Sequence, residues 1–129
     1  MPVLKIAVMN GRSPSDLRLL LDTIHDVVVS AFNVPARDRY QIVVEHDQTH
    51  FIAEDTGLDI VRSPDFTMIE LVSRPRTDAQ KLDFYDLLAV ELQSRCAISP
   101  ADLMIYFVEN SDVDWSFGLG RAQFITREL

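Results

Sequence analysis

Ser13, Val34, Asp38 and Glu45 each have a counterpart 64 positions later, at Thr77, Ile98, Asp102 and Glu109. A constant offset across a helix start, a helix stop and a strand is hard to obtain from unrelated segments. The chain therefore reads as one unit duplicated head to tail, with copies over about residues 2–46 and 66–110 and a tail over 111–129. In the first copy, Pro2–Met9 is a short apolar-rich run and predicts a strand buried on at least one face. Ser13 can cap the helix that follows, Pro14 suits its first position, and Asp16 stands where a capping-box acid stands. Leu17, Leu20, Leu21, Ile24, Val28 and Ala31 then recur at helical spacing as one apolar stripe. Asn33-Val34-Pro35 ends that helix, because proline lacks a donor and restricts the residue before it. The β-branched run in Tyr40–Glu45 predicts the next strand.

The second copy repeats this plan. Phe66–Val72 predicts a strand, Thr77-Asp78-Ala79-Gln80 a capping box, and Leu82, Tyr85, Leu88, Ala89 and Leu92 a helical stripe. Ile98-Ser99-Pro100-Ala101-Asp102 interrupts it before a fourth strand, Leu103–Glu109. Each helix is long enough to cross between parallel strands. The expected fold is α/β: tandem β-α-β units in a four-stranded, mainly parallel sheet, with two helices on one face. The whole chain, 1–129, forms one domain. The uncovered sheet face predicts burial against other subunits. Asp47–Pro64, joining the copies, is the most loop-like stretch.

Composition narrows the function classes. Of 129 residues, 47% are hydrophobic, enough for a sizeable core, and the net charge is −8. That balance argues against a nucleic-acid or anionic-membrane partner, while leaving room for a small arginine cluster holding one small anion. The one cysteine excludes an internal disulfide and a cysteine-rich zinc site. With no signal-like opening and no long apolar run, the expectation is a cytoplasmic protein. Gly118-Leu119-Gly120 has Gln123 where a dinucleotide loop needs its third glycine. His46 and His50 lack a partner cluster, so no metal and no cofactor are expected. Cys96 ends the second helix on its apolar side and reads as a buried, inert thiol. His25 reads as solvent-exposed on the polar side of the first helix.

Two features carry more chemistry. Methionine is normally removed before a small second residue, which would leave Pro2 as a secondary amine at the start of a strand. Fixed by a sheet, such an amine acts as acid, base or nucleophile. In most proteins position two is simply a chain end, and with Met1 attached the Pro2 nitrogen is an amide without a basic lone pair. Arg74-Pro75-Arg76 sets two guanidinium groups between a strand end and a helix start, an arrangement that suits one carboxylate. Two ordinary solvated charges fit those residues equally well.

These parts together resemble the tautomerase superfamily, and within it the malonate semialdehyde decarboxylase family. The carrying segments are Phe32-Asn33-Val34-Pro35-Ala36-Arg37-Asp38-Arg39-Tyr40-Gln41, Glu54-Asp55-Thr56-Gly57-Leu58, Ser73-Arg74-Pro75-Arg76, Gln80-Lys81 and Ile98-Ser99-Pro100-Ala101-Asp102. The longest and most specific is Val108-Glu109-Asn110-Ser111-Asp112-Val113-Asp114-Trp115-Ser116-Phe117-Gly118. Nearly the whole chain is covered, with departures at Asp47–Ile52 and Asp59–Asp65, where substrate-shaping loops could differ.

The resemblance implies Pro2 as the catalytic amino-terminal proline, Asp38 as the carboxylate working with it, and Arg74 and Arg76 as the substrate-carboxylate pair. It also implies Trp115, Phe117, Phe124 and Leu129 as an apolar pocket wall, a small-molecule carboxylate as substrate, and a homotrimer with each site near a subunit boundary. The implied reaction is decarboxylation of malonate semialdehyde to acetaldehyde. Asp38 beside the Pro2 amine is expected to raise its pKa and favour its protonated form. Other readings of the same scaffold are a tautomerase of small 2-oxo acids, a hydratase of unsaturated acids, and a trimeric binding protein without chemistry.

Overall fold

The computed structural model describes residues 1–129. Strand β1 (Pro2–Met9) is followed by helix α1 (Pro14–Phe32) and strand β2 (Tyr40–His46), then by β3 (Thr67–Ser73), α2 (Asp78–Cys96) and β4 (Leu103–Glu109). Relative to the sequence expectation, β2 runs one residue further and β3 is displaced one residue toward the C-terminus. Both helices start as their caps dictate. Ser13 Oγ accepts from the Asp16 N–H at 3.1 Å, while Thr77 and Gln80 form a complete reciprocal capping box. Both stop on a left-handed residue, Asn33 at φ 51° and Ala97 at φ 54°. This satisfies the expected break at each helix end.

The sheet order is β2-β1-β3-β4. β1 with β2 and β3 with β4 are parallel, as β-α-β connections require, and the central β1–β3 pair is antiparallel. The two units therefore meet back to back along their first strands. Leu4, Ile6 and Val8 of β1 and Ile69 and Leu71 of β3 point to the helices. There they join Leu20, Ile24, Val27, Val28, Phe84, Leu88 and Leu92 in one core. Phe32 stacks on Phe84 at 5.0 Å, and Phe107 meets both rings edge-on. Burying each such side chain contributes about 1.5–3 kcal/mol against chain entropy.

Pairing register refines the repeat. Val3 pairs with Tyr40 and Thr67 with Leu103, spacings of 37 and 36 positions. With β2 and β4 related by 64, β1 and β3 are thus related by 65. The facing agrees: Val3 and Met68 lie on the open face, Leu4 and Ile69 in the core. The missing residue lies in the turn before the helix, where Asn10-Gly11-Arg12 is matched by Pro75-Arg76 alone. Gly11 occupies that longer turn at φ 121°, a conformation that glycine adopts without strain.

The sheet face away from the helices is open, and Tyr40, Ile42, Val44, Met104, Tyr106 and Val108 are exposed on it. A polar row crosses its middle: Lys5 pairs with Glu70 at 3.4 Å, and the Tyr106 hydroxyl donates to Glu70 at 2.8 Å. The joining segment is pinned at its end. Ser63 donates through its N–H and its hydroxyl to the buried Asp102 carboxylate, both at 2.6 Å, and Arg62 donates to the Ala101 carbonyl. No helix is long and apolar enough to cross a membrane.

Candidate active site

Pro2 is buried as the first residue of β1, opposite Ser73 of β3. A proline is tolerated there because the first strand position needs no donor to the ladder. Asp38 closes a turn in which its N–H donates to the Pro35 carbonyl at 2.9 Å. The parallel register of β1 and β2 then brings that turn beside the chain start. The Met1 amine lies 3.8 Å from Asp38 Oδ2. Asp38 is only 5% exposed, and neither carboxylate oxygen has a hydrogen-bond partner. A buried carboxylate is ordinarily bonded, so Asp38 stands out among the buried polar groups.

Arg76 reaches the same corner from the turn before α2. Its Nε–H donates to Ser73 Oγ at 3.0 Å, the Ser73 hydroxyl donates to the Arg74 carbonyl, and the guanidinium lies 5.0 Å from the centre of the Phe32 ring. Arg74 turns toward the tail: its Nε pairs with Asp112 at 2.5 Å, and its guanidinium lies 4.2 Å over Phe124. The two arginines thus lie close together with different anchors.

The tail builds an aromatic wall. Trp115 stacks on Phe117 at 5.5 Å, and Phe117 meets Phe124 edge-on at 5.6 Å. Trp115 is fixed by its indole N–H donating to Asn110 Oδ1. Phe117 is fixed by Gln123, whose amide accepts from the Phe117 N–H and donates to the Gly118 carbonyl. A cleft of about 390 Å³ opens over Met1 and Asp38, with Tyr40, Phe117, Gln123 and Leu129 among its walls. Of the expected site residues, Asp38, Phe117 and Leu129 line this cleft directly. Pro2, the residue after Met1, is not among its lining residues. Trp115 and Phe124 pack on Phe117, and Arg74 and Arg76, which also do not line the cleft, act on the Met1 amine through their charge.

The titratable groups at the chain start are the Met1 amine, Asp38 and Arg76, the Pro2 nitrogen being an amide here. Burial pushes the Asp38 carboxyl above its ordinary value, against the pull of the amine, Arg76 and His25. Asp38 raises the Met1 amine, as expected of a neighbouring carboxylate. Burial and the nearby Arg76 and Arg74 outweigh it, and the amine's pKa lies below 8.0. Burial and Arg74 likewise lower Arg76. An amine pushed down and a carboxyl pushed up are poised to pass a proton between them.

Two residues are not where their sequence reading put them. His25 is buried, at 8% exposure, and its Nε2–H donates to the Ala36 carbonyl at 2.6 Å. The spacing Leu21, His25, Val28 already set it on the apolar stripe. Its polarity argued for solvent, and the turn that accepts its bond is invisible to periodicity. Cys96 is half-buried, its thiol 3.5 Å from Thr23 Oγ1. Sequence reasoning also missed Gln123, read only as an absent glycine, and the anchoring roles of Ser73, Asn110 and Asp112. The last two lay in plain view in the longest motif.

Sequence profiles described as tautomerase enzyme match residues 38–118 and, separately, residues 2–59. A probable tautomerase of Bacillus subtilis (strain 168), YrdN, is 49% identical over 129 residues, covering all of both chains. A second from the same organism, YusQ, is 32% identical over 97% of this chain and 99% of its own. Among solved structures, a malonate semialdehyde decarboxylase with described decarboxylase and hydratase activities superposes with a TM-score of 0.97 at 46% identity, covering 98% of each chain. Another malonate semialdehyde decarboxylase, inhibited by 3-bromopropiolate, gives a TM-score of 0.94 at 36% identity over 98% of this chain and 97% of its own. A native fused 4-OT, at 17% identity and a TM-score of 0.79 over 97% of this chain and 99% of its own, shares the fold.

Proposed function

The chain belongs to the tautomerase family, and from that premise we propose that it decarboxylates malonate semialdehyde to acetaldehyde without a cofactor, using Pro2 as its amino terminus. The observation carrying this reading is the orphaned, buried Asp38 carboxylate at the chain start, 3.8 Å from the amine of Met1, the residue before Pro2. Its closeness to the solved decarboxylases supports the choice of reaction within the family.

In the proposed reaction, loss of Met1 exposes the Pro2 amine beside Asp38. Arg76 and Arg74 hold the substrate carboxylate and turn its bond to C2 perpendicular to the aldehyde plane. Their contribution is orientation, because tight ground-state binding of a departing carboxylate does not by itself accelerate its departure. As the C–C bond breaks, its electron pair passes into the carbonyl and CO2 leaves. Protonated Pro2 donates to the aldehyde oxygen, giving an enol; its carbon then takes a proton from solvent as its hydroxyl proton passes to Asp38, leaving acetaldehyde. Asp38, with its raised pKa, is placed to return the proton to the amine. The wall of Phe117 and Trp115 excludes water from the departing carboxylate. A homotrimer formed through the open sheet face completes the reading.

Burial and the arginines that lower the Met1 amine favour one second reading, in which a Pro2 amine exposed at the same corner is neutral and acts as base in tautomerisation of a small 2-oxo acid. CO2 release from malonate semialdehyde, followed across pH after intact mass has verified loss of Met1, separates the two. Activity falling as the amine deprotonates supports the acid role; tautomerisation rising over the same range with no CO2 released supports the base role. Unchanged turnover in the double variant Arg74→Ala, Arg76→Ala would overturn the carboxylate site.

A further inference from the structure

Asp38 has no side-chain hydrogen bond to hold it, so its position must be set through its backbone. That backbone is the Pro35–Asp38 turn, braced from inside by the bond from Asp38 N–H to the Pro35 carbonyl. From outside, the buried His25 of α1 donates its Nε2–H to the Ala36 carbonyl at 2.6 Å. A carbonyl only accepts, so the proton of this bond belongs to the imidazole. The second repeat shows what happens without it. Ala89 stands 64 positions after His25, and Asp102 is instead held directly by Ser63. One repeat bonds its carboxylate; the other bonds the turn that carries it and leaves the carboxylate free.

We propose that His25 is a positioning residue for Asp38, fixing the carboxylate beside the terminal amine through the Ala36 carbonyl. This rests on the function proposed above, although the geometric claim concerns only Asp38 and the amine. The titratable and charged groups at this corner are Asp38 from the turn, the Met1 amine just before β1, His25 from α1, Arg76 with Arg74 from the turn before α2, and Arg37 and Glu128 on the cleft wall.

The test compares His25→Leu, which removes the donor, with His25→Gln, which keeps an N–H of similar reach. Two readouts are taken: the kinetics of CO2 release, and titration of the terminal proline nitrogen by NMR. The first variant is expected to lower kcat on the order of ten- to 100-fold, the scale of a misplaced catalytic group. Its KM stays within about twofold, because the arginines and aromatic wall are untouched. The amine titrates at lower pH once Asp38 is no longer held against it. The second variant keeps kcat within about threefold and restores the titration. A folded His25→Leu with unchanged kcat and titration overturns the proposal. So does His25→Gln failing as badly as His25→Leu, since the N–H bond would then not be the link. Should the leucine variant not fold, His25→Asn, polar but too short to reach Ala36, takes its place. If the wild type releases no CO2, the decarboxylase reading fails, and the amine titration alone judges His25.

Discussion

The two repeats share one backbone plan, and they treat their matching aspartates in opposite ways. Asp102 is buried at 3% exposure, and its oxygens accept two 2.6 Å bonds from Ser63. Asp38 is nearly as buried at 5% and accepts none. The cause is where the chain goes. At the second repeat the polypeptide arrives from the joining segment, and Arg62 and Ser63 fill the corner beside Asp102. At the first repeat no segment bonds Asp38, and the corner opens to a cleft that holds the Met1 amine. The arginines follow the same division. Arg12, the counterpart of Arg76, donates to the Asp65 carbonyl and faces the Asp65 carboxylate at 3.9 Å. Arg76 keeps its charge toward the amine and Asp38. One duplicated frame thus holds an unbonded carboxylate beside a cleft in one copy and a bonded brace in the other.

The sharpest way to break this contrast is to neutralise each aspartate in turn. Asp38→Asn should lower turnover by about 10²–10⁴-fold, the scale of a lost proton-transfer partner, with the fold intact. Asp102→Asn should leave kcat/KM within about twofold, because the residue lies outside the site. It should instead reduce unfolding stability by about 1–3 kcal/mol, as the Ser63 donors lose a charged acceptor. Steady-state kinetics and urea unfolding on the same pair of proteins check both halves. Equal losses of activity would show that the repeats are not functionally divided.

A smaller effect has the opposite sign. Burial raises the folded Asp38 carboxyl above its ordinary 3.8, so in that window the folded state keeps a proton that the unfolded chain has released. Stability contributed by Asp38 therefore falls as pH climbs through 3.8 toward the folded value, and the penalty is fully present above it. Asp38→Asn should accordingly be more stable than the wild type at pH 7, by on the order of 1 kcal/mol, the scale of one unsatisfied buried group. The advantage should vanish below pH 4. Thermal unfolding of both proteins from pH 3 to pH 8 reads the sign; a variant less stable at pH 7 would refute it.

The smallest comparison concerns the helix starts. Thr77→Ala breaks a capping box by removing the bond its hydroxyl accepts from the Gln80 N–H, leaving only the bond from the Thr77 backbone N–H to Gln80. Ser13→Ala removes the bond accepted from the Asp16 N–H at a helix start already set by Pro14. Losses of about 1 kcal/mol and somewhat less are expected, read from denaturant midpoints. The reverse order would mean that the proline after Ser13 leaves α1 more dependent on its cap.

Most of the fold was legible because it is written in local chemistry. Caps at Ser13 and Thr77, breakers at Pro35 and Pro100, and apolar stripes between them bound the helices to within a residue. The one-residue slip between β1 and β3 was not legible. An offset counted along the chain sees the caps, while strand facing is a property of pairing. Asp38 stood out through its resemblance to a known family, and Arg74 and Arg76 through their place between a strand end and a helix start. Their sorting did not: Arg74 turned toward Asp112 and Phe124, and Arg76 stayed with the amine. His25 was missed for a related reason, since a polar residue on an apolar stripe signals burial only once its acceptor is known.

The sequence by itself determined that this chain is a duplicated β-α-β unit with an amine, an acid and two arginines available for chemistry, because periodicity, capping and proline act over a few residues. Tertiary structure alone decided which copy becomes the site. Burial without a bonded partner, the lowered amine and the raised Asp38 carboxyl arise from segments far apart in sequence meeting at one corner. That corner opens to a cleft, and the joining segment closes its counterpart through Ser63.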